Sequence, residues 1–223
     1  MPEILDRTRQ LKLRLVYYGP PRSGKAVNLQ RIFELSRPEA RSRMVAFDAG
    51  GNVTRPGADR RVSFEMTLPP ETPEGWTVVV EISALSSPLL MRPTKIATLE
   101  RADAVAFVAD ATRERREENH EAFREAEELL RARTPPIVLQ VNKRDRADAL
   151  SEDEIEREWG ARSWPIFTAA AKQGDGVRET FTCLLRLAFE GTDKGAGLEA
   201  MTSLTLSGVT TAALKALRRA EAE

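Results

Sequence analysis

The stretch from Leu15 to Lys25 constrains this chain more than any other: the apolar run Leu15-Val16-Tyr17-Tyr18 leads straight into Gly19-Pro20-Pro21-Arg22-Ser23-Gly24-Lys25. A buried strand that ends in G-x-x-x-x-G-K and opens a helix cradles phosphate, because successive backbone N–H groups and the helix terminus converge on anionic oxygens. Gly24 permits close backbone approach and Lys25 reaches the outer phosphates, so Gly19, Arg22, Ser23, Gly24, Lys25 and Ala26 are the expected phosphate-binding residues. Pro21 fixes its own backbone angle and removes one N–H donor from the loop. The position after the lysine calls for Ser or Thr, whose hydroxyl holds Mg²⁺ against the phosphates. Here it is Ala26, so binding and catalysis have to be argued separately.

Short apolar runs alternate with stretches of helical period, the pattern of an α/β fold whose mostly parallel sheet carries helices on both faces. Strands are expected over Leu11 to Tyr18, Val62 to Leu68, Thr77 to Ile82, Ala104 to Asp110, Pro136 to Asn142 and Trp164 to Thr168, a six-stranded sheet. Val62, Phe64 and Met66 alternate with Ser63 and Glu65, which predicts an edge strand with one wet face. Helices are expected over Val27 to Ser36, Glu114 to Ala132 and Gly176 to Phe189, with a capping box at Ser151-Glu152-Asp153-Glu154 opening a fourth that ends at Trp159. Pro38 to Arg60 and Pro69 to Gly75 read as loops. Residues 1–190 form the expected domain, and 191–223 an extension, partly helical or disordered, with a helix read over Thr210 to Ala222.

The 34 lysines and arginines equal the 34 aspartates and glutamates, so the overall field gives no reason to expect nucleic acid as a partner. The one cysteine, Cys183, forms no internal disulfide and reads as core. No run is long enough to span a bilayer, and Met1 to Arg7 lacks the apolar stretch of a signal peptide, so a cytoplasmic protein is expected. His120 reads as a solvated residue in a charged helix.

A second motif addresses a base. Asn142-Lys143-Arg144-Asp145, at the carboxyl end of a later buried strand, matches the N-K-x-D of GTPases. Asp145 would accept hydrogen bonds from N1 and the exocyclic amino group of guanine, while Lys143 lays its stem over the ring. Adenine offers no such donor pair, and a site built around that carboxylate rejects it. Ala169-Ala170-Ala171-Lys172 follows the last strand and is similar to the S-A-K loop of the same enzymes, with the N–H near Ala171 meeting the guanine O6. The expected base-binding residues are Asn142, Lys143, Asp145, Ala171 and Lys172.

Together these pieces resemble the Ras-like small GTPases, and within them the bacterial gliding-motility, MglA-like branch. Val16-Tyr17-Tyr18-Gly19-Pro20, Asn28-Leu29-Gln30-Arg31-Ile32-Phe33, Phe107-Val108-Ala109-Asp110 and Gly174-Asp175-Gly176-Val177 share that branch's wording, over roughly Leu11 to Phe189. The resemblance implies a three-layer, Ras-like P-loop fold and GTP and GDP as ligands. It also implies effector or regulator proteins as partners, among them a roadblock-fold, MglB-like activator, and roles in cell polarity and motility.

The chain departs from its relatives where hydrolysis is organised. Aligning Gly75-Trp76 with the family's Gly-aromatic pair places Ala84, Ser87 and Pro88 at the Asp/Thr, Gly and Gln positions of the second switch; a three-residue shift brings Glu81, Ala84 and Leu85 there instead. Neither restores a water-positioning glutamine. The metal-binding Thr of the first switch falls near Arg60 or Arg61, leaving Thr54 and Glu81 as metal candidates and Arg60 or Arg61 as candidates for stabilising phosphoryl-transfer charge. Asp48-Ala49-Gly50-Gly51 satisfies D-x-x-G but precedes the second strand and reads as a turn. The expected function is a regulatory protein that binds guanine nucleotide with hydrolysis weak or lost. The alternatives are a GTP hydrolase completed by a partner and a nucleotide-free pseudo-GTPase scaffold.

Overall fold

Alternation along one strand sets the layers of this molecule. In β2 (Gln10–Tyr18) the side chains of Leu11, Leu13, Leu15 and Tyr17 enter one apolar core, while Val16 and Tyr18 enter a second on the opposite face of the sheet. Burial on both sides follows from its central place: β6 (Thr77–Leu85) and β7 (Ala104–Asp110) flank it in parallel. Beyond β7, the strands β8 (Ile137–Asn142) and β9 (Ile166–Thr168) continue the parallel half. On the other flank β5 (Arg61–Leu68) runs antiparallel to β6, and β3 (Val45–Phe47) and β4 (Val53–Thr54) extend that side. With β1 (Glu3–Leu5) antiparallel to β2, this computed structural model holds a nine-stranded sheet, ordered β4-β3-β5-β6-β2-β7-β8-β9 along its main path.

The first core is closed by α1 (Lys25–Leu35) through Leu29 and Ile32 and by α5 (Val177–Ala196) through Phe181, Leu184 and Leu185. The second is closed by α2 (Arg92–Glu100), α3 (Arg116–Leu129) and α4 (Glu152–Trp159), with Leu99, Phe123, Ala126 and Trp159 inside it. Helices on both faces of a mixed sheet make the three-layer α/β fold that the sequence implied. Residues 3–47, 52–54, 61–68, 75–85, 92–131, 133–196 and 202–217 are described by the structure. Arg60, Ser87, Pro88 and Asp48-Ala49-Gly50-Gly51 lie outside that set.

Several elements differ from the expectation. The short strands β1, β3 and β4 carry too few residues to show a period, and the sequence reading contained none of them. As a consequence β5 is not an edge strand, since β3 pairs with Arg61, Val62 and Ser63. The helix α2 was also unforeseen, although Pro93 in its first turn is a recognised start signal. At the carboxyl end α5 does not stop at Phe189 but runs through Gly191 to Ala196. The last helix, α6 (Leu206–Ala216), begins before Thr210 and is capped by Thr205, whose Oγ1 accepts from Gly208 N at 3.0 Å. It is no loose tail: Val209, Ala212, Ala213 and Leu217 are buried in the first core, and Arg37 N donates to Ala216 O at 2.9 Å. Leu214, on the opposite side of the same helix, is exposed.

Candidate functional site

The carboxyl ends of β2, β7 and β8 open onto one cleft of about 460 Å³, the place where ligands bind in open α/β sheets. Its floor is the loop from Gly19 to Gly24. Gly19 has φ +143° and a Cβ there would fall 2.3 Å from Val108 O, so the loop can turn this close to β7 only with glycine. Gly24 has φ +104°, and a Cβ would fall 2.1 Å from Asn142 Nδ2. Arg22 also holds a left-handed backbone, φ +62°, a conformation that costs a residue with a Cβ about 1 kcal/mol.

Lys25 is almost fully buried and donates from Nζ to Gly19 O at 2.9 Å and to Pro20 O at 2.6 Å. Burial, reinforced by the positive charge of Lys95, brings its pKa down to about 7. Ser23 is fully buried and its Oγ has no hydrogen-bond partner among the described residues. Ala26, the residue at the hydroxyl position, is exposed.

Asn142 ties this loop to the other end of the cleft. Its Nδ2 donates to Ser23 O at 2.8 Å and its Oδ1 accepts from Ala171 N at 2.9 Å. One buried amide therefore fixes the spacing between the phosphate-type loop and the Ala169 to Gly176 loop, and its partners use the Ala171 N–H that was expected to meet a base. Lys143 follows with φ +69° and pairs its ammonium with Asp110, a buried carboxylate that also accepts from Thr112 N at 3.1 Å and Thr112 Oγ1 at 2.9 Å. Asp145 stands exposed at the rim with no hydrogen bond or ion pair among the described residues. Behind the loop lies a buried polar chain: Asn28 and Gln140 exchange amide hydrogen bonds of 2.8 and 3.0 Å, and Gln140 Nε2 also donates to Thr180 Oγ1 at 2.9 Å.

Of the residues read from the sequence, Arg22, Gly24, Asn142, Lys143, Asp145, Ala171 and Lys172 line the one cleft, with Gly19, Ser23 and Lys25 in the loop beneath it. Of the catalytic and metal candidates, Arg61 and Glu81 are held elsewhere, and Arg60 lies outside the described residues. Arg61 sits on β5, its guanidinium 3.2 Å from Glu81 and over the Phe47 ring at 5.0 Å. Glu81, on β6, is held among Arg61, Lys12 at 3.3 Å and Arg14 at 3.8 Å. Thr54 is the last residue of β4, whose partner is β3. Residues to which the sequence reading gave no binding role also line the cleft: Asp110, Thr112, Glu114, Arg115 and Arg146. Asp110 ends the Phe107-Val108-Ala109-Asp110 run that carries part of the resemblance, while the other four belong to no short motif. His120, expected to be solvated, stacks on Trp159 and lies 2.6 Å from Glu158, a buried carboxylate distant in sequence.

Two comparisons with known proteins give matches. The sequence profile of the ADP-ribosylation factor family matches residues 90–187, a span that holds Asn142 to Asp145 and Ala169 to Lys172. The mutual gliding-motility protein MglA of Myxococcus xanthus (strain DK1622) is 28% identical over 195 residues, which cover 84% of this chain and 96% of that protein. The chain is thus similar to MglA over most of its length and to the ADP-ribosylation factor family over its second half. The cleft has features that suit a nucleotide: a glycine-floored cup with an amine beneath it and a carboxylate at the far rim. Mg²⁺, usual in this superfamily, is a different matter, because it demands oxygen ligands in near-octahedral geometry. Residue 26 offers a methyl group where a hydroxyl oxygen is needed, and Glu81, committed to three cations, does not replace it, so the described residues do not fit the ligand set that Mg²⁺ uses beside a phosphate loop. No helix among them is long and apolar enough to cross a membrane.

Proposed function

We propose that this chain is a guanine-nucleotide-binding regulatory protein of the MglA type that hydrolyses GTP slowly, or not at all, without assistance. The observation that carries the reading is the pair of hydrogen bonds made by the Asn142 side chain, which holds the phosphate-type loop and the base-side loop at opposite ends of one cleft. Backbone N–H groups of the Gly19 to Gly24 loop and the Lys25 ammonium take the phosphates. Asp145 takes the guanine N1–H and amino group, and Lys143, steadied by Asp110, lies along the ring. Hydrolysis is slow because a water-positioning glutamine is missing from the sequence and Arg61 is engaged by Glu81, away from the cleft. The protein acts by presenting a surface to effector or regulator proteins in the cytoplasm, a roadblock-fold MglB-like activator among them. Gliding motility as the process rests on the name of the Myxococcus relative, and cell polarity on the family resemblance alone.

Two measurements test this reading. GDP should raise the melting temperature where ADP does not, since a ligand at a hundred times its dissociation constant adds about 2.7 kcal/mol. Single-turnover assays should then show GTP turnover near the rate of free GTP. Equal response to GDP and ADP removes the base assignment, and fast unassisted turnover makes the protein an ordinary hydrolase.

A further inference from the structure

We infer that arginine, in place of magnesium, neutralises the phosphates in this cleft, with Arg115 as the principal counter-charge and Arg22 beside it; this rests on the nucleotide-binding reading above. A nucleoside diphosphate brings several negative charges that have to be met inside the site. With Ala26 at the hydroxyl position, the described residues offer no oxygen cage for a divalent ion. They do offer guanidinium groups. Arg115 ends the short turn between β7 and α3 and lines the cleft. Its Nη2 donates to Pro21 O at 3.0 Å and its Nη1 pairs with Glu118.

A guanidinium carries five N–H donors, so those two bonds leave the rest of the fork free for phosphate oxygens. The bond to Pro21 also limits the rotamer freedom that the side chain would lose on binding, and a planar, permanently charged fork suits phosphate better than a point charge does. Pro21 thus has two effects at one place. Its ring removes an N–H that the loop would otherwise direct at the ligand, and its carbonyl anchors the arginine. Arg22, exposed in the cleft with a left-handed backbone, has no hydrogen bond or ion pair among the described residues. The nearby carboxylates offset this charge only in part: Glu118, the ion-pair partner of Arg115, is solvent-exposed and outside the cleft lining, Asp110 is taken by Lys143 and Thr112, Asp145 stands at the base end, and Glu114 is the remaining one.

The test is titration of the full chain, stripped of nucleotide, with fluorescent GDP and with GMP in excess EDTA and in millimolar MgCl₂. The parent should bind GDP equally in both buffers, within about threefold. Arg115→Ala should weaken GDP by about ten- to a hundredfold, the loss of a charge-assisted bond, and GMP by much less, while Arg115→Lys recovers part of the loss. The melting temperature of each ligand-free variant shows whether the fold is kept. Tightening of tenfold or more by magnesium in the parent, unchanged GDP affinity in Arg115→Ala, or equal loss for GDP and GMP overturns the inference. A parent that binds GDP only with magnesium sinks it while leaving the nucleotide reading intact; a parent that binds no GDP in either buffer removes both.

Discussion

The base end of the cleft and the β5–β6 flank of the sheet both concentrate polar side chains, and they use them in opposite ways. At the base end the polar groups hold loops in place and leave one carboxylate available: Asn142 and Lys143 are bonded inward, and Asp145 is left at the rim. Along the flank, Lys12, Arg14, Glu65, Arg61 and Glu81 are bonded to one another on a single face of the sheet. Charges locked into a network of several mutual ion pairs have little left to give a ligand, so the first arrangement suits recognition and the second suits strand pairing. On the function proposed above, the cleft takes the nucleotide and the flank serves strand pairing.

Substitutions can sharpen or break that contrast. The largest effect is expected from Asp145→Ala, which should lower GDP affinity by about a hundredfold or more in a binding titration while leaving the melting temperature unchanged, because the carboxylate is exposed and unpaired among the described residues. Next, Asn142→Ala strands Ser23 O and Ala171 N, and should cost about 2–3 kcal/mol in urea unfolding together with a clear loss of GDP affinity. Glu81→Gln should separate the two regions most cleanly: removing charge from beside Lys12, Arg14 and Arg61 costs about 1 kcal/mol, with nucleotide affinity untouched. If Glu81→Gln weakens GDP, the flank reaches the cleft and the contrast fails.

Lys25 gives a pH test of the ligand-free protein. Its pKa is about 7 in the fold against 10.5 ordinarily, so between those values the unfolded chain binds more protons and stability rises with pH. Below about 7 both states hold the proton and the slope vanishes. Lys25→Met should remove this rise, which linkage puts at about 2 kcal/mol between pH 7 and pH 9, and should stabilise the ligand-free protein more at pH 7 than at pH 9, read from urea midpoints at the two values. A parent whose stability is flat between those pH values contradicts the burial argument.

Much of the site was legible because it is encoded in short contiguous runs. Leu15 to Lys25 and Asn142 to Asp145 each carry their geometry in spacing alone, as do the capping bonds of Ser151 and Glu154 at the start of α4. What escaped the sequence depends on contacts between residues far apart in the chain. Arg115 meets Pro21, and His120 meets Glu158, only after the sheet and helices are assembled. The same holds for α6, whose small, weakly amphipathic Ala and Thr residues read as a loose extension and yet fill the space between α5 and β5. Three strands of two or three residues gave no periodic signal at all.

The central claim is that the cleft still grips a guanine nucleotide after the magnesium hydroxyl has been lost. The most direct measurement is the nucleotide content of freshly purified full-length protein, released by acid and identified by chromatography. The account predicts GDP or GTP at close to one per chain, or full uptake when GDP is added to protein that has lost it. Protein that arrives empty and ignores added GDP, with or without magnesium, would contradict it.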